Sequence, residues 1–446
     1  MNGKKGTRAV RRLCALMAAV FVFTAAGGEA ALAADPATAS AAASAGASAA
    51  SGAASQSDGS AGTSSAADQS KIPLTNLLPD WPQYTETLNE ASAVLIDADT
   101  GGILYSLNRD EIRYPASTTK IMTALLTLEH CKLNDTVTMK EGTVHCTDGS
   151  TNAATVEGET FTVEQCLYML LLKSANDIAV QLGIKVAGST EAFADMMNER
   201  AEQIGCTDTH FVNASGMPDS DHYTTAYDLA LIMQECLKNK TFRKIISTTE
   251  YTVPATNKTA EERVYPNHNL LIQPASQYYY QYDIGGKTGF TKAAWRTLVT
   301  AAEKDGRTLI AVTMRGPDQT DFSDAKKLFE YGFSRFANQE LNGVQVTLPA
   351  GMGTDQVEQS HEKRGDGTAE LISTYHKLTV GRKTLTESEA KKTAAAAETP
   401  AETPAESGTL TKTAGRTALP VLLAVFAVLV AGIIVVGVQL FRGRKD

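Results

Sequence analysis

Between residues 78 and 337 the apolar positions switch between two periods. Residues 93–105 hold two short β-prone runs split by an Asp/Gly cluster, which predicts a hairpin. The period then changes. Over 113–129, Pro115 favours a helix start, and Ile121, Leu125 and Leu128 recur at i, i+4 and i+7, with Met122, Ala124 and Leu126 on neighbouring faces. A helix that is apolar nearly all round is a buried one. Residues 133–162 are polar and turn-rich, with short strands. Helices are predicted over 161–173, 177–186, 190–204 (stopped by Gly205) and 224–237. Strands return near 251–254, 295–302 and 308–314, and a helix over 323–336 closes the unit. Hairpin strands at both ends of a block of helices predict an α+β fold, an antiparallel sheet with helices on its faces.

The flanks read differently. Lys4, Lys5, Arg8, Arg11 and Arg12, an apolar run over 13–26 and the small residues Ala31-Leu-Ala33 predict a signal peptide over 1–34. Residues 35–70 are almost wholly Ala, Ser, Gly and Thr. They cannot bury enough apolar surface to offset their ordering entropy, so a disordered spacer is expected over 35–77. Beyond the main unit, 338–385 is short-stranded and β-prone, expected as a small β-rich region, and 386–418 is a Pro/Glu/Ala linker. Residues 419–441 form an apolar run, about 35 Å long as a helix, enough to span a bilayer. Arg442, Arg444 and Lys445 follow in the tail 442–446. With a signal peptide ahead, the expectation is a single-pass protein of the cell membrane, its body extracytoplasmic and its tail cytoplasmic.

Composition narrows the chemistry. The 446 residues are 43% hydrophobic, enough for a sizeable core, and carry a net charge of −9. That charge, and the lack of a basic patch with interleaved aromatics, argue against a nucleic-acid partner. Of six cysteines, Cys14 lies in the signal segment; Cys131, Cys146, Cys166, Cys206 and Cys236 cannot all pair and include no Cys-x-x-Cys. Cys166 and Cys236 fall in helical patterns and read as small apolar residues. The seven histidines have no metal-ligand spacing, so neither metal nor cofactor is expected.

The candidate chemistry starts at the buried helix. Ser117 and Lys120, three residues apart, share one helix face at roughly 5–6 Å between Cβ atoms. A hydroxyl beside an amine can serve as nucleophile and base once desolvation lowers the lysine pKa. Two other Ser-x-x-Lys pairs, Ser323 with Lys326 and Ser388 with Lys391, are expected to be solvated. Ser174-Ala-Asn176 ends one predicted helix and begins the next, where polar groups can meet a cleft; Ser150-Thr-Asn152 repeats the pattern in a loop. Lys287-Thr-Gly289 occurs once, on an expected strand: a cation and a hydroxyl suited to a carboxylate, then a glycine that permits close backbone approach.

In this order the three motifs resemble the set found in serine penicillin-binding enzymes. Segments 115–120, 172–177, 211–216, 222–228 and 286–291 extend the resemblance to the low-molecular-weight penicillin-binding proteins, the serine D-alanyl-D-alanine carboxypeptidases, over about 85–336. The resemblance implies a β-lactamase/transpeptidase-like fold and removal of terminal D-alanine from peptidoglycan stem peptides through an acyl-enzyme, with β-lactams as covalent inhibitors. It implies Ser117 as nucleophile, Lys120 as base and Ser174 as proton relay. Asn176, Lys287, Thr288, Gly289 and Phe290 would bind substrate, with the Ser117 and Phe290 N–H groups as oxyanion hole. One departure bears on substrate fit: Ala294 is followed by Trp295 where the family often has glycine. A β-lactamase would need a deacylating Glu-x-x-x-Asn, and the nearest candidate, Glu191, is followed by Asp195 in the last place. A transpeptidase or endopeptidase would share every motif.

Overall fold

The structure, a computed structural model, describes residues 72–144, 150–363, 368–386 and 389. The expected signal peptide, most of the spacer and linker, and the span at 419–441 lie outside the described residues. Among the described residues no helix is long and apolar enough to cross a membrane.

The predicted hairpin is β1 (Ser92–Asp97) and β2 (Ile103–Leu107), antiparallel around Gly101 at φ 70°. A 3-10 turn, Ala116–Thr119, leads into α1 (Lys120–His130). After β3 (Thr136–Thr138) and the short α2 (Glu141–Val144) come β4 (Thr160–Thr162) and α3 (Val163–Leu171). Next are α4 (Asn176–Ala187), α5 (Thr190–Ile204), α6 (Ala226–Leu237) and α7 (Lys240–Ile246). The pair β5 (Glu250–Val253) and β6 (Arg263–Pro266) precedes β7 (Asp283–Thr291), β8 (Trp295–Lys304) and β9 (Arg307–Gly316). Helix α8 (Thr320–Arg335) closes this part, and β10 (Phe336–Leu341), β11 (Val344–Pro349), β12 (Glu358–Lys363), β13 (Ala369–Tyr375) and β14 (Leu378–Leu385) follow.

The two strand groups meet in one antiparallel five-stranded sheet of order β2-β1-β9-β8-β7. Every residue of β1 and β2 is buried. Since alternate residues point to opposite faces, both faces of that edge are covered. Helix α8 packs on it at Gly332, where a Cβ would come within 2.7 Å of Leu95 and Leu309. Helix α1 is buried along Lys120–Thr127 and packs against α3, α4 and α6, which makes it the centre of the helical block.

Three boundaries differ from the sequence reading, each for a local reason. The 161–173 helix starts at Val163, because 160–162 pair with β3 and Thr162 forms a capping box with Gln165. The 224–237 helix starts at Ala226 because Thr225 caps it while Thr224 bridges to Arg113. The buried helix begins only at Lys120, since Ala116 sits at φ 49° and the chain passes Ser117 as a 3-10 turn.

Strands β10–β14 add little apolar core of their own: Val344, Leu371 and Leu385 form a separate small cluster. Val346, Leu348, Tyr375, Leu378 and Val380 instead join the main core. The contact is close: a Cβ on Gly102 would meet the Val380 carbonyl at 2.5 Å, and Tyr375 donates to the Pro79 carbonyl at 2.9 Å. Cys166 and Cys236 are fully buried, and Cys131, Cys166, Cys206 and Cys236 are unpaired; Cys146 lies outside the described residues.

Candidate active site

The candidate residues arrive on several different elements. Ser117 lies in the 3-10 turn, Lys120 opens α1, Asn176 opens α4, and Ser174 occupies the turn between α3 and α4. Residues 287–290 lie on β7, the edge strand of the sheet. The turn is tied to the sheet through the Pro115 carbonyl, which accepts from Thr118 Oγ1 at 2.7 Å and from Thr297 Oγ1 of β8 at 3.1 Å. Gly289 is the contact point: a Cβ there would lie 3.0 Å from the Ser117 nitrogen and 2.3 Å from Thr297 Oγ1. Only a residue without a side chain lets β7 approach Ser117 this closely.

Lys120 is fully buried and its ammonium nitrogen has three neighbours: Asn176 Oδ1 at 2.6 Å, the Ser215 carbonyl at 2.6 Å and Ser117 Oγ at 3.0 Å. Burial, then the charge of Lys287, hold its pKa well below that of a free lysine, against an opposing pull from Asp177. The geometry says what neutralisation would do. Asn176 Oδ1 and the Ser215 carbonyl only accept, so both N–H bonds of a neutral amine are committed to them. The lone pair is then left facing Ser117 Oγ, whose hydroxyl can donate to it.

Asn176 is oriented from its other end, where Nδ2 donates to Ser150 Oγ at 2.9 Å. Its backbone N–H donates to the Thr151 carbonyl, and the neighbouring Asp177 carboxylate accepts from Ala153 N and Thr155 Oγ1, fastening this loop to α4. Ser150-Thr-Asn152 is thus a loop, as the sequence implies, but one seated on the site. The segment 211–217 closes the far side. Asn213 Oδ1 accepts from the backbone N–H groups of Ser215, Gly216 and Met217, and Gly216, at φ 85°, comes so near Ala116 that a Cβ would overlap its carbonyl. His222 braces the same wall. Its Nδ1 accepts from Val212 N at 3.0 Å, which leaves Nε2 to donate to Thr119 Oγ1 at 2.8 Å; burial pushes its pKa down to about 4, keeping it neutral.

The remaining candidates are placed as follows. Ser174 is 6% exposed at φ 64°, a left-handed backbone that costs a serine about 1–2 kcal/mol, and it forms no hydrogen bond to Ser117 or Lys120. Lys287 is buried beside Lys120, donates to the Thr288 carbonyl at 2.7 Å, and is pushed down to about 7 by burial. Thr288 is half-buried beside a cavity of about 410 Å³ that it shares with His268, Arg296 and Gln319. Phe290 is 58% exposed under the Arg296 guanidinium, 5.0 Å from its ring centroid. The other Ser-x-x-Lys pairs are not assembled this way: Ser323 Oγ donates to the Thr320 carbonyl and Lys326 lies over Tyr280, while Ser388 and Lys391 lie outside the described residues. Glu191 is exposed on the first turn of α5.

Ser150, Asn213, Ser215 and His222 were not among the sequence candidates. The resemblance singled out 211–216 and 222–228 as segments, but no spacing rule assigns a role to a carbonyl or to a serine in a distant loop.

Residues 81–318 match the profile of the D-alanyl-D-alanine carboxypeptidases, peptidase S11. The chain belongs to that family. Among curated relatives of this carboxypeptidase, D-alanyl-D-alanine carboxypeptidase DacF of Bacillus subtilis is 32% identical over 269 residues, covering 59% of this chain and 67% of the relative. DacB2 of Mycobacterium tuberculosis is 33% identical over 264 residues, covering 58% and 84%. Among solved structures, the Streptomyces K15 DD-transpeptidase superposes with a TM-score of 0.53 at 31% identity, covering 56% of this chain and all of that one.

Proposed function

We propose that this serine D-alanyl-D-alanine carboxypeptidase, a cell-wall hydrolase, works through Ser117, with Lys120 as its base. The observation that carries the reading is the Lys120 amine, fully buried, with both its N–H bonds taken by acceptors and its lone pair aimed at Ser117 Oγ. Ser117 attacks the penultimate carbonyl of a stem peptide ending in D-Ala-D-Ala. Lys120 takes the hydroxyl proton, and Ser174 relays a proton to the departing D-alanine amine. Lys287 and Thr288 hold the terminal carboxylate and Asn176 holds substrate and Lys120. The backbone N–H groups of Ser117 and Phe290 stabilise the oxyanion, worth about 2.7–4 kcal/mol per donor. Water then releases the shortened peptide. Two features support the substrate's path: β7 is an edge strand, against which an extended chain can lie, and Gly289 brings that strand against Ser117. β-Lactams would stop at the acyl-enzyme stage.

A second reading, transfer of the acyl group to an amine, is favoured by the likeness to the Streptomyces K15 DD-transpeptidase. Incubating full-length protein in detergent with a di-D-alanine peptide, with and without an amine acceptor, tests both. Free D-alanine and shortened peptide are expected; a ligated product as the main species would move the assignment to transpeptidase, and no turnover would defeat both.

We further propose that the body is extracytoplasmic, held on the membrane by residues 419–441 and a linker of roughly 32 residues with a reach of about 30 Å. This rests on the sequence of those segments. A chain of residues 71–390 is expected to be soluble and to cleave small D-alanyl-D-alanine peptides at rates close to full-length protein. A truncated form that is folded by circular dichroism but inactive would make the anchor or linker part of the active unit.

A further inference from the structure

Along β7, Thr288 is followed by Gly289, which packs on Ser117, then by Phe290 and the turn into β8. If the carboxylate end of the peptide sits at Lys287 and Thr288, its acyl-donor part must run the other way, past Phe290, at about 3.3 Å per extended residue. In that direction lies a second cavity, of about 340 Å³. One wall is Arg113 and Tyr114, which lead into Pro115 and Ser117. The other is Ala293, Ala294 and Arg315, with Tyr223 at its side.

The charge of this cavity is one-sided. Two arginines line it and no aspartate or glutamate does, in a chain of net charge −9. Arg113 is already engaged, donating to Ser92 Oγ at 3.1 Å and pairing with Glu111. Arg315 is not: among the described residues its side chain has neither ion pair nor hydrogen bond. Its guanidinium lies over the ring of Trp295, 5.8 Å from the centroid. Stacking on an aromatic face holds the guanidinium plane and leaves its edge N–H donors unused. Both residues sit in the left-handed region, Trp295 at φ 59° and Arg315 at φ 60°, next to a bulge between β8 and β9. Bulky residues held in that conformation are strained, and strain of this kind clusters at binding and catalytic sites. Trp295, itself half exposed, supplies the stacking face.

We propose that this cavity is a subsite for the acyl-donor part of the substrate, and that Arg315, steadied by Trp295, selects peptides whose side chain there carries a carboxylate. The inference rests on the reading of Ser117, Lys287 and Thr288 given above. A carboxylate meeting an unengaged guanidinium forms charge-assisted hydrogen bonds that its carboxamide analogue cannot.

Two synthetic peptides test it, N-acetyl-X-D-Ala-D-Ala with X either L-α-aminoadipate or its side-chain carboxamide, assayed with full-length protein in detergent. The wild type is expected to prefer the carboxylate peptide about tenfold in kcat/KM, with the preference falling as salt rises. Arg315→Asn, a residue that tolerates the left-handed backbone, should bring the carboxylate-to-carboxamide ratio near one, and Arg315→Lys should restore part of it. Equal kcat/KM for the two peptides in the wild type overturns the proposal without any variant, as does a ratio unmoved in Arg315→Asn. Penicillin labelling separates the two levels: a labelled enzyme that cleaves both peptides without preference loses only the subsite. One that neither takes label nor cleaves either peptide loses the catalytic reading, and the subsite with it.

Discussion

Ser117→Ala is expected to abolish covalent labelling by a fluorescent penicillin and release of D-alanine, while the protein melts close to the wild type. The side chain is partly exposed and its hydroxyl makes one hydrogen bond, to a lysine that keeps two other acceptors, so little of the packing depends on it. The chemistry depends on it wholly, because no other serine in the described structure meets a buried lysine stripped of its other donors. Mass mapping of the labelled wild type should find the adduct on Ser117. Label on Ser323 or Ser388, or label that survives in the alanine variant, would overturn the assignment.

Lys120→Met is expected to slow acylation at least a hundredfold, since general-base contributions run to about 10²–10⁴. Methionine nearly preserves the volume in a site with no exposed surface, but it strands Asn176 Oδ1 and the Ser215 carbonyl without donors, so some stability is lost as well. Stopped-flow penicillin acylation against pH separates the two effects. In the wild type the rate should rise as Lys120 loses its proton, and level off well below pH 10.5, because burial and the Lys287 charge depress that pKa. The variant should lack this limb. Near-wild-type acylation in folded Lys120→Met would remove Lys120 as the base. Stability has its own sign. Lys287 is held at about 7 in the folded protein and titrates near 10.4 when unfolded. Between those values the native state binds fewer protons, so this group's contribution rises with pH across that window and is lost as pH falls through about 7.

Much of this protein could be read from its sequence, because local rules operate there. Short β-prone runs around an Asp/Gly cluster mark β1 and β2, and a helix apolar on every side has to be central, as α1 is. The motifs at Ser117, Ser174 and Lys287 carry the family resemblance, since chemistry of this kind constrains residue type at short spacing. Only the tertiary structure decided how those groups meet. Nothing local predicts that Ala116 would enter the left-handed region and move Ser117 out of the helix into a 3-10 turn. Nor does it predict that the lysine's remaining bonds go to Asn176 and to a carbonyl 95 residues away at Ser215. The Ser150-Thr-Asn152 segment shows the limit most plainly: its sequence describes a loop, and the loop's place against Asn176 follows from long-range packing through Asp177. The same holds for Arg315 and Trp295, neighbours only because β8 and β9 pair in a bulged register. Spacing along the chain specifies which chemistry is possible; which groups face one another, and whether a lysine is dry enough to be neutral, depends on contacts that close over long loops and on the burial they create.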